Sequence, residues 1–370
     1  MFSFYLTLAY TIPNIYVFLR IMFLFIGKKY RLLYTVIYLL LAAVFPVTRY
    51  LSHQVPDGLM ELLTAAANYL LPFFLYVFLA LLLYEILLLL NLIFRVVSKG
   101  VRKSYSYRFY ALTSIIVLSL AVVAGGIINM NTIRASRYQI VVPKGNSPLD
   151  SLRVAFVADF HIVQETSPDY VEQFVRKVNA LEPDIMLYGG DIVEGRDENN
   201  IPDNILSALR RLQSRYGAYG VLGNHESYGS RGNGTFYEKS GITLLRDTML
   251  NIGNAFYLAG RDDERFRDRK PAEEILQNGT DGLPVIMLDH RPTRLEEISL
   301  TPVDVQFSGH THNGQLFPIN FIIGSMYELA WGYKKVRNTH FFVTSGLRLW
   351  GPPVKTAGKS EIVVVDVEFE

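Results

Sequence analysis

The sequence predicts a chain in two parts: an N-terminal helical membrane region, then an α/β domain. Three observations predict it. Apolar runs of membrane-spanning length fill the first third of the chain. Charge divides between the parts: residues 1–149 hold 13 Lys and Arg against 3 acids, and residues 150–370 hold the other 23 basic and 31 acidic residues. Beyond residue 150, short apolar runs alternate with amphipathic helical stretches, the pattern of α/β folds.

A helix needs roughly 20 apolar residues to cross the hydrocarbon core, with a range of about 17–25. Phe2 to Ile26 form a first run, interrupted by Pro13 and Arg20, and Leu32 to Val47 a second, closed by Thr48 and Arg49. The third extends from about Leu63 to Val97 and the fourth from about Ala111 to Ile128. Four spans are the simplest count. Buried helices of soluble proteins keep a polar face that these runs lack. The third run is long enough to tilt, or to begin as an interfacial helix before Pro72. The first does not read as a cleavable signal peptide, because it has no basic n-region and three more spans follow.

Orientation follows from the loops. Lys28, Lys29 and Arg31 follow the first span, and Arg95, Lys99, Arg102, Lys103 and Arg108 follow the third. The second loop has only Arg49. Basic short loops stay in the cytoplasm. Four spans then place the N-terminus and the α/β domain outside, as a multi-pass protein of the inner membrane with an extracytoplasmic domain. Arg134 and Arg137, after the last span, pull weakly the other way. Within the apolar runs, Arg20 is expected to snorkel and Glu85 to pair inside the bundle.

Asn129 to Asp150 read as a linker with a turn cluster at Pro143, Gly145, Asn146 and Pro148. The division is therefore residues 1–130 for the membrane region, 131–149 for linker and first strand, and 150–370 for the α/β domain. In that domain Val171, Phe174, Val175, Val178 and Leu181 keep helical spacing after Ser167-Pro168.

The chemistry stands at the ends of the apolar runs. Arg153 to Ala158 leads to Asp159-Phe160-His161, and Asp184 to Tyr188 leads to Gly189-Gly190-Asp191-Ile192-Val193-Glu194. Tyr219 to Leu222 leads to Gly223-Asn224-His225-Glu226, and Pro284 to Leu288 leads to Asp289-His290-Arg291-Pro292. Val303 to Phe307 leads to Ser308-Gly309-His310-Thr311-His312. Ligands of open α/β sheets gather at the carboxyl ends of strands. Five of the seven histidines stand at these points, His53 and His340 being the exceptions. Any one motif could be a hydrogen-bonded core histidine; five together point to a metal site. Imidazole and carboxylate suit borderline divalent cations, and the absence of cysteine excludes disulfides and thiolate sites. Glycines 190, 223 and 309 let the backbone approach the site. The net negative charge of this domain fits poorly with general nucleic-acid binding.

The ordered set Asp-x-His, Gly-Asp-x-x-Glu, Gly-Asn-His-Glu, His-x-Pro and Gly-His-Thr-His resembles the calcineurin-like metallophosphoesterases over roughly residues 150–370. Ala259 to Asp263 and the tail from Ser345-Gly346 to Pro352-Pro353 resemble the membrane-anchored branch, the transmembrane proteins with a metallophosphoesterase domain. The resemblance implies a four-layer αββα sandwich of two sheets flanked by helices. It implies two divalent ions (Mn, Fe, Zn, Ni or Mg), one held by Asp159, His161 and His312, the other by Asn224, His290 and His310, with Asp191 bridging. His225 would be the general acid or would stabilise phosphoryl charge, with Glu194 as its partner where many members carry Asp. Asn313 stands where this branch often has Gly, and Lys355 where Arg is frequent.

The expected function is a membrane-anchored phosphoesterase acting on a phosphodiester or lipid-linked phosphate through a metal-bridging hydroxide. The expected partners are the lipid bilayer and a phosphate-ester substrate, itself a lipid in one reading. Two alternatives stand beside it. A lipid pyrophosphate hydrolase acting on a nucleotide-activated lipid precursor is disfavoured by an external domain. A membrane receptor or scaffold with a retired domain is disfavoured by the complete ligand set. Tyr228 and Arg231 are expected at the mouth of the site, and the charged run from Arg261 to Lys270 as solvated surface, with recognition of anionic head groups as the alternative. Trp331 and Trp350 are left open between core and membrane interface.

Overall fold

The computed structural model describes residues 2–51, 54–228, 234–277 and 279–370; His53 and Arg231 lie outside the described residues. The chain forms two compact units: Met1–Ile128 with Gly351–Thr356, and Asn129–Trp350 with Ala357–Glu370.

The first unit is helical: α1 (Phe2–Leu24), α2 (Arg31–Tyr50), α3 (Asp57–Phe94), the short α4 (Lys99–Lys103), and α5 (Tyr105–Asn131), which runs on to the start of the second unit. Among the described residues, four helices are long and apolar enough to cross a membrane. Helix α3 is continuous over 38 residues with Pro72 inside it, about 57 Å at 1.5 Å per residue. The segment before Pro72 is therefore the first part of that helix and not a separate interfacial one. Val17, Ile21, Tyr38, Phe74, Val77, Leu81 and Ile115 form the core of this unit. Arg20 does not snorkel: its Nε donates to Glu85 Oε1 at 2.6 Å. Each charge finds its counter-ion on a neighbouring helix, which lowers the cost of placing both among apolar side chains.

The second unit contains, in order, β1 (Arg134–Val142), β2 (Ser151–Val157), α6 (Pro168–Asn179), β3 (Ile185–Tyr188), α7 (Asp203–Leu209), β4 (Ala218–Gly220), α8 (Thr235–Lys239), β5 (Thr243–Leu244), β6 (Thr248–Ile252), β7 (Phe256–Gly260), α9 (Ala272–Ile275), β8 (Val285–Leu288), α10 (Leu295–Ile298), β9 (Val305–Ser308), α11 (Ile319–Met326), β10 (Gly332–Val336), β11 (Thr339–Val343) and β12 (Glu361–Phe369). The strands make two six-stranded sheets, ordered β1-β12-β2-β3-β4-β5 and β10-β11-β9-β8-β7-β6. In the first, β2, β3, β4 and β5 run parallel. In the second, β7, β8, β9 and β11 do.

Side-chain alternation builds the four layers. On β2, Leu152, Val154 and Phe156 join Ile286, Leu288 and Phe307 of the other sheet in one core. Ala155 and Val157 point the other way, into a core with Phe174, Val178 and Ile205 of α6 and α7. Val285 and Met287 of β8 pack on Ile275 and Leu295 of α9 and α10. Strands covered on both faces read as unbroken apolar runs, which is why they were visible in the sequence. Helix α6 carries Asp169 in its first turn and Arg176 and Lys177 in its last, each sign suited to the helix dipole. The strand expected within the linker segment is β1, nine residues long and paired in parallel with β12 from Arg134–Glu361 to Val142–Phe369. Its partner lies so far along the chain that no local pattern shows it.

Candidate metal centre

Strands β2, β3 and β4 of one sheet and β8 and β9 of the other end at the same edge of the sandwich, and their following loops converge. Backbone hydrogen bonds tie the loops together: Asp159 N–H donates to Gly190 O at 3.0 Å, His161 N–H to Asp191 O at 3.0 Å, and Gly309 N–H to His290 O at 2.9 Å. The backbone is bent hard to aim the side chains. Asp159, His161, Asp191, His310 and His312 all have positive φ, between 49° and 71°. For non-glycine residues this costs of order 1–3 kcal/mol each and persists where the surroundings enforce it. Close approach also requires glycine: a Cβ on Gly309 would fall 2.5 Å from Asp159 Oδ2.

Three overlapping groups result, each with donor atoms within 4.8 Å of one another: Asp159, His161 and His312; His161, Asp191 and His225; and Asp191, His290 and His310. His161 Nε2 lies 3.2 Å from His312 Nε2, and His290 Nε2 lies 3.2 Å from Asp191 Oδ2. Asn224 follows Gly223 into the same cluster of loops and is buried. All nine residues singled out in the sequence are thereby placed: seven candidate ligands, His225, and Glu194 between His161 and His225.

The donors fit divalent cations. Asn224 Oδ1 and His310 Nδ1 are buried and make no hydrogen bond among the described residues, an arrangement that is costly unless something else satisfies them. His290 Nδ1 donates to the Gly189 carbonyl at 2.8 Å, which aims Nε2 at Asp191, the nitrogen a cation would take in exchange for a proton. Burial, helped by the nearby His290 and Arg291 charges, lowers His310 to about 3, so its ring is neutral. Burial also lifts the Asp159 carboxyl to about 6, against the pull of His290 and His161. Burial would lower His290, but the Asp191 and Asp159 carboxylates outweigh it and hold the ring up at about 10. The cluster thus attracts positive charge strongly.

Glu194 is half-buried. Burial would raise its pKa, but hydrogen bonds with His161 and His225 win and bring it down to about 2. Burial likewise would lower His225, and the Glu194 hydrogen bond with the Asp191 charge reverses that and raises it. His225 sits at the mouth, its ring 5.1 Å from that of Tyr228 and 6.0 Å from that of Trp350. Trp350 is therefore a site residue, 48% exposed, whereas Trp331 donates from Nε1 to Glu361 at 2.7 Å.

Two features escaped the sequence. Glu226, fully buried, accepts the backbone N–H groups of Gly223, Ile192 and Asp191 at 2.8, 2.7 and 3.0 Å, and the Tyr237 hydroxyl at 2.8 Å. It staples the loop after β3 to the loop after β4. The charged run from Arg261 to Lys270 is not a purely solvated surface. Buried Asp289 takes Arg261 at 3.0 Å and Arg269 at 2.6 Å, and buried Asp263 takes Arg291 through two contacts at 2.6 and 3.0 Å. These pairs clamp both neighbours of His290. The opposite charges flanking that histidine were the available signal.

Imidazoles and carboxylates buried together at the strand ends of a layered sandwich are a donor set that could hold metal ions. A family profile described as calcineurin-like phosphoesterase matches residues 152–314. An uncharacterized metallophosphoesterase of Aquifex aeolicus is 30% identical over 262 residues, 67% of this chain and 98% of that one. One from Campylobacter jejuni is 27% identical over 385 residues, 99% of this chain and 98% of that one. A Danio rerio transmembrane protein with metallophosphoesterase domain is 29% identical over 277 residues, 70% of this chain and 62% of that protein. The chain belongs to the calcineurin-like phosphoesterase family and is a metal-dependent phosphoesterase.

Proposed function

We propose that this protein is a membrane-anchored phosphoesterase working with two divalent cations. Asp159, His161 and His312 would hold one, Asn224, His290 and His310 would hold the other, and Asp191 would serve both. The observation that carries this reading is the place of Asp191, which belongs to two of the three donor groups, one with His161 and the other with His290 and His310. When bound, two such cations neutralise the phosphoryl oxygens and lower the pKa of a shared water.

The residues supply orientation and a proton. Glu194 accepts the Nδ1–H of His225 at 3.0 Å, which turns Nε2 toward the mouth. The Glu194 carboxylate raises the pKa of that ring, which favours the protonated state a general acid needs to protonate the leaving oxygen. The same carboxylate accepts Nδ1–H of His161 at 2.8 Å, fixing its Nε2 as a donor toward a cation. A complete donor set supports turnover over a retired domain. Basic loops after the first and third spans support an extracytoplasmic catalytic domain. The test is turnover of a nitrophenyl phosphodiester by purified protein, before and after chelation and after return of Mn²⁺, Fe²⁺, Zn²⁺, Ni²⁺ or Mg²⁺ singly. Activity lost with chelator and regained with a cation supports the reading. Turnover indifferent to chelation overturns it.

A further inference from the structure

Six residues separate His312 from helix α11, which no periodicity in the sequence reveals. Residues 316–327 contain no charged side chain. No residue of α11 is buried. Phe321, Ile322 and Met326 are 67%, 61% and 67% exposed, with Phe317 at 49% just before them. At about 100° per residue the three helical side chains fall within about 140° of the circumference, so they form one face. Single exposed apolar residues are ordinary, but a contiguous face beside an active site marks a surface that meets something apolar.

The helix packs against the turn that follows His312, and the segment after it returns to the metal cluster. Before it, Gly314 approaches so closely that a Cβ there would fall 2.7 Å from Asn320 N. After it, the Tyr327 ring lies 6.3 Å from the His310 ring, and Thr311 Oγ1 donates to Ala330 O at 2.5 Å. Whatever surface α11 touches is thereby held in register with the donors at His310 and His312.

We propose that the apolar face of α11 seats in a lipid surface, and that the phosphate ester reaching the metal site beside it is carried by a membrane lipid. The second half rests on the phosphoesterase reading above. Lipid is favoured by what accompanies the face. The same chain carries four helices apolar enough to cross a membrane, and only two residues separate the last of them, α5, from β1. Trp331 and Tyr333, 36% and 41% exposed, follow α11 with exposed Lys335 beside them, while Lys334 pairs with Glu328 at 3.6 Å and Lys359 Nζ lies 5.7 Å above the Trp331 ring. Apolar helix, amphipathic aromatics and lysines together are the composition of a segment lying at headgroup depth.

The chain has no cysteine, so Ile322→Cys and Met326→Cys in the full chain each accept one nitroxide label with no native thiol to remove. In nanodiscs of phosphatidylcholine and phosphatidylglycerol, both labels should be more accessible to oxygen than to a polar nickel chelate. A label at Leu300→Cys, 68% exposed in the turn after α10, should show the reverse. A second arm compares two esters that release the same nitrophenolate as water adds to phosphorus: dioleoylglycerol nitrophenyl phosphate in the discs and soluble bis-nitrophenyl phosphate. In Phe321→Asn/Ile322→Asn the ratio of lipid to soluble turnover should fall at least tenfold. Labels as hydrated as Leu300, labels shielded from both reagents as in a protein interface, or an unchanged ratio overturn the proposal. Labels in lipid with neither ester hydrolysed count against the catalytic reading alone, and support the seating of α11.

Discussion

Glu194 holds His225 by its Nδ1 at 3.0 Å. The Oε1 atom of Glu194 lies 2.9 Å from that same nitrogen and 2.8 Å from Nδ1 of His161. One side chain thus orients a group at the mouth of the site and a candidate ligand inside it.

Glu194→Gln should therefore damage two functions at once. Metal affinity should weaken by about 10–100-fold, the usual cost of losing the hydrogen-bonding partner of a ligating histidine. The pH profile should move as well. The carboxylate raises the pKa of His225, and a general acid works only while protonated. Its loss lowers that pKa, so the alkaline limb of kcat should shift to lower pH when measured at saturating metal. An unmoved limb would show that His225 is not the titrating acid.

His225→Ala separates chemistry from metal binding. It should retain its metal and lose roughly 10²–10⁴ in kcat. The loss should shrink for nitrophenolate leaving groups, which need little protonation. Equal losses for alkyl and nitrophenyl esters would favour charge stabilisation over proton donation, and loss of metal would remove the assigned role.

Glu226→Ala should act through structure. Removing this buried carboxylate strands the N–H groups of Gly223, Asp191 and Ile192, with a destabilisation of roughly 3 kcal/mol or more. Thermal unfolding followed in the metal-loaded protein should show the drop, and metal content should fall with it because two ligand loops lose their staple. Normal stability with normal metal content would contradict the role given to Glu226.

Most of the candidate site was legible because its residues follow strands buried on both faces. Such strands read as apolar runs, and Asp159, Asp191, Asn224, His290 and His310 interrupt them abruptly. The layers were legible only through resemblance, since the alternation of Val154 and Phe156 against Ala155 and Val157 is hidden when every position is apolar. Contacts between distant segments were not legible at all. The pairing of β1 with β12 and the clamp of Asp289 by Arg261 and Arg269 depend on which segments the sheets bring together. Helix α11 was hidden for another reason: eight apolar residues between a histidine motif and Trp331 are too few to show a period.

Topology decides which substrates the site meets. Reporter fusions after Val47 and after Glu370 should both register outside the cytoplasm, because the loops at Lys28–Arg31 and Arg95–Arg108 carry most of the basic residues between the spans. A cytoplasmic signal at Glu370 would reverse the orientation. It would also bring nucleotide-linked lipid precursors within reach while leaving the metal site as described.

Asp191 is proposed to serve two cations in one site, and elemental analysis of purified wild type and Asp191→Ala decides it. Two divalent ions per wild-type chain, and a variant that loses both with its activity, are the predicted result. A single ion per active chain, or a variant that keeps its full metal load and turnover, would contradict the claim.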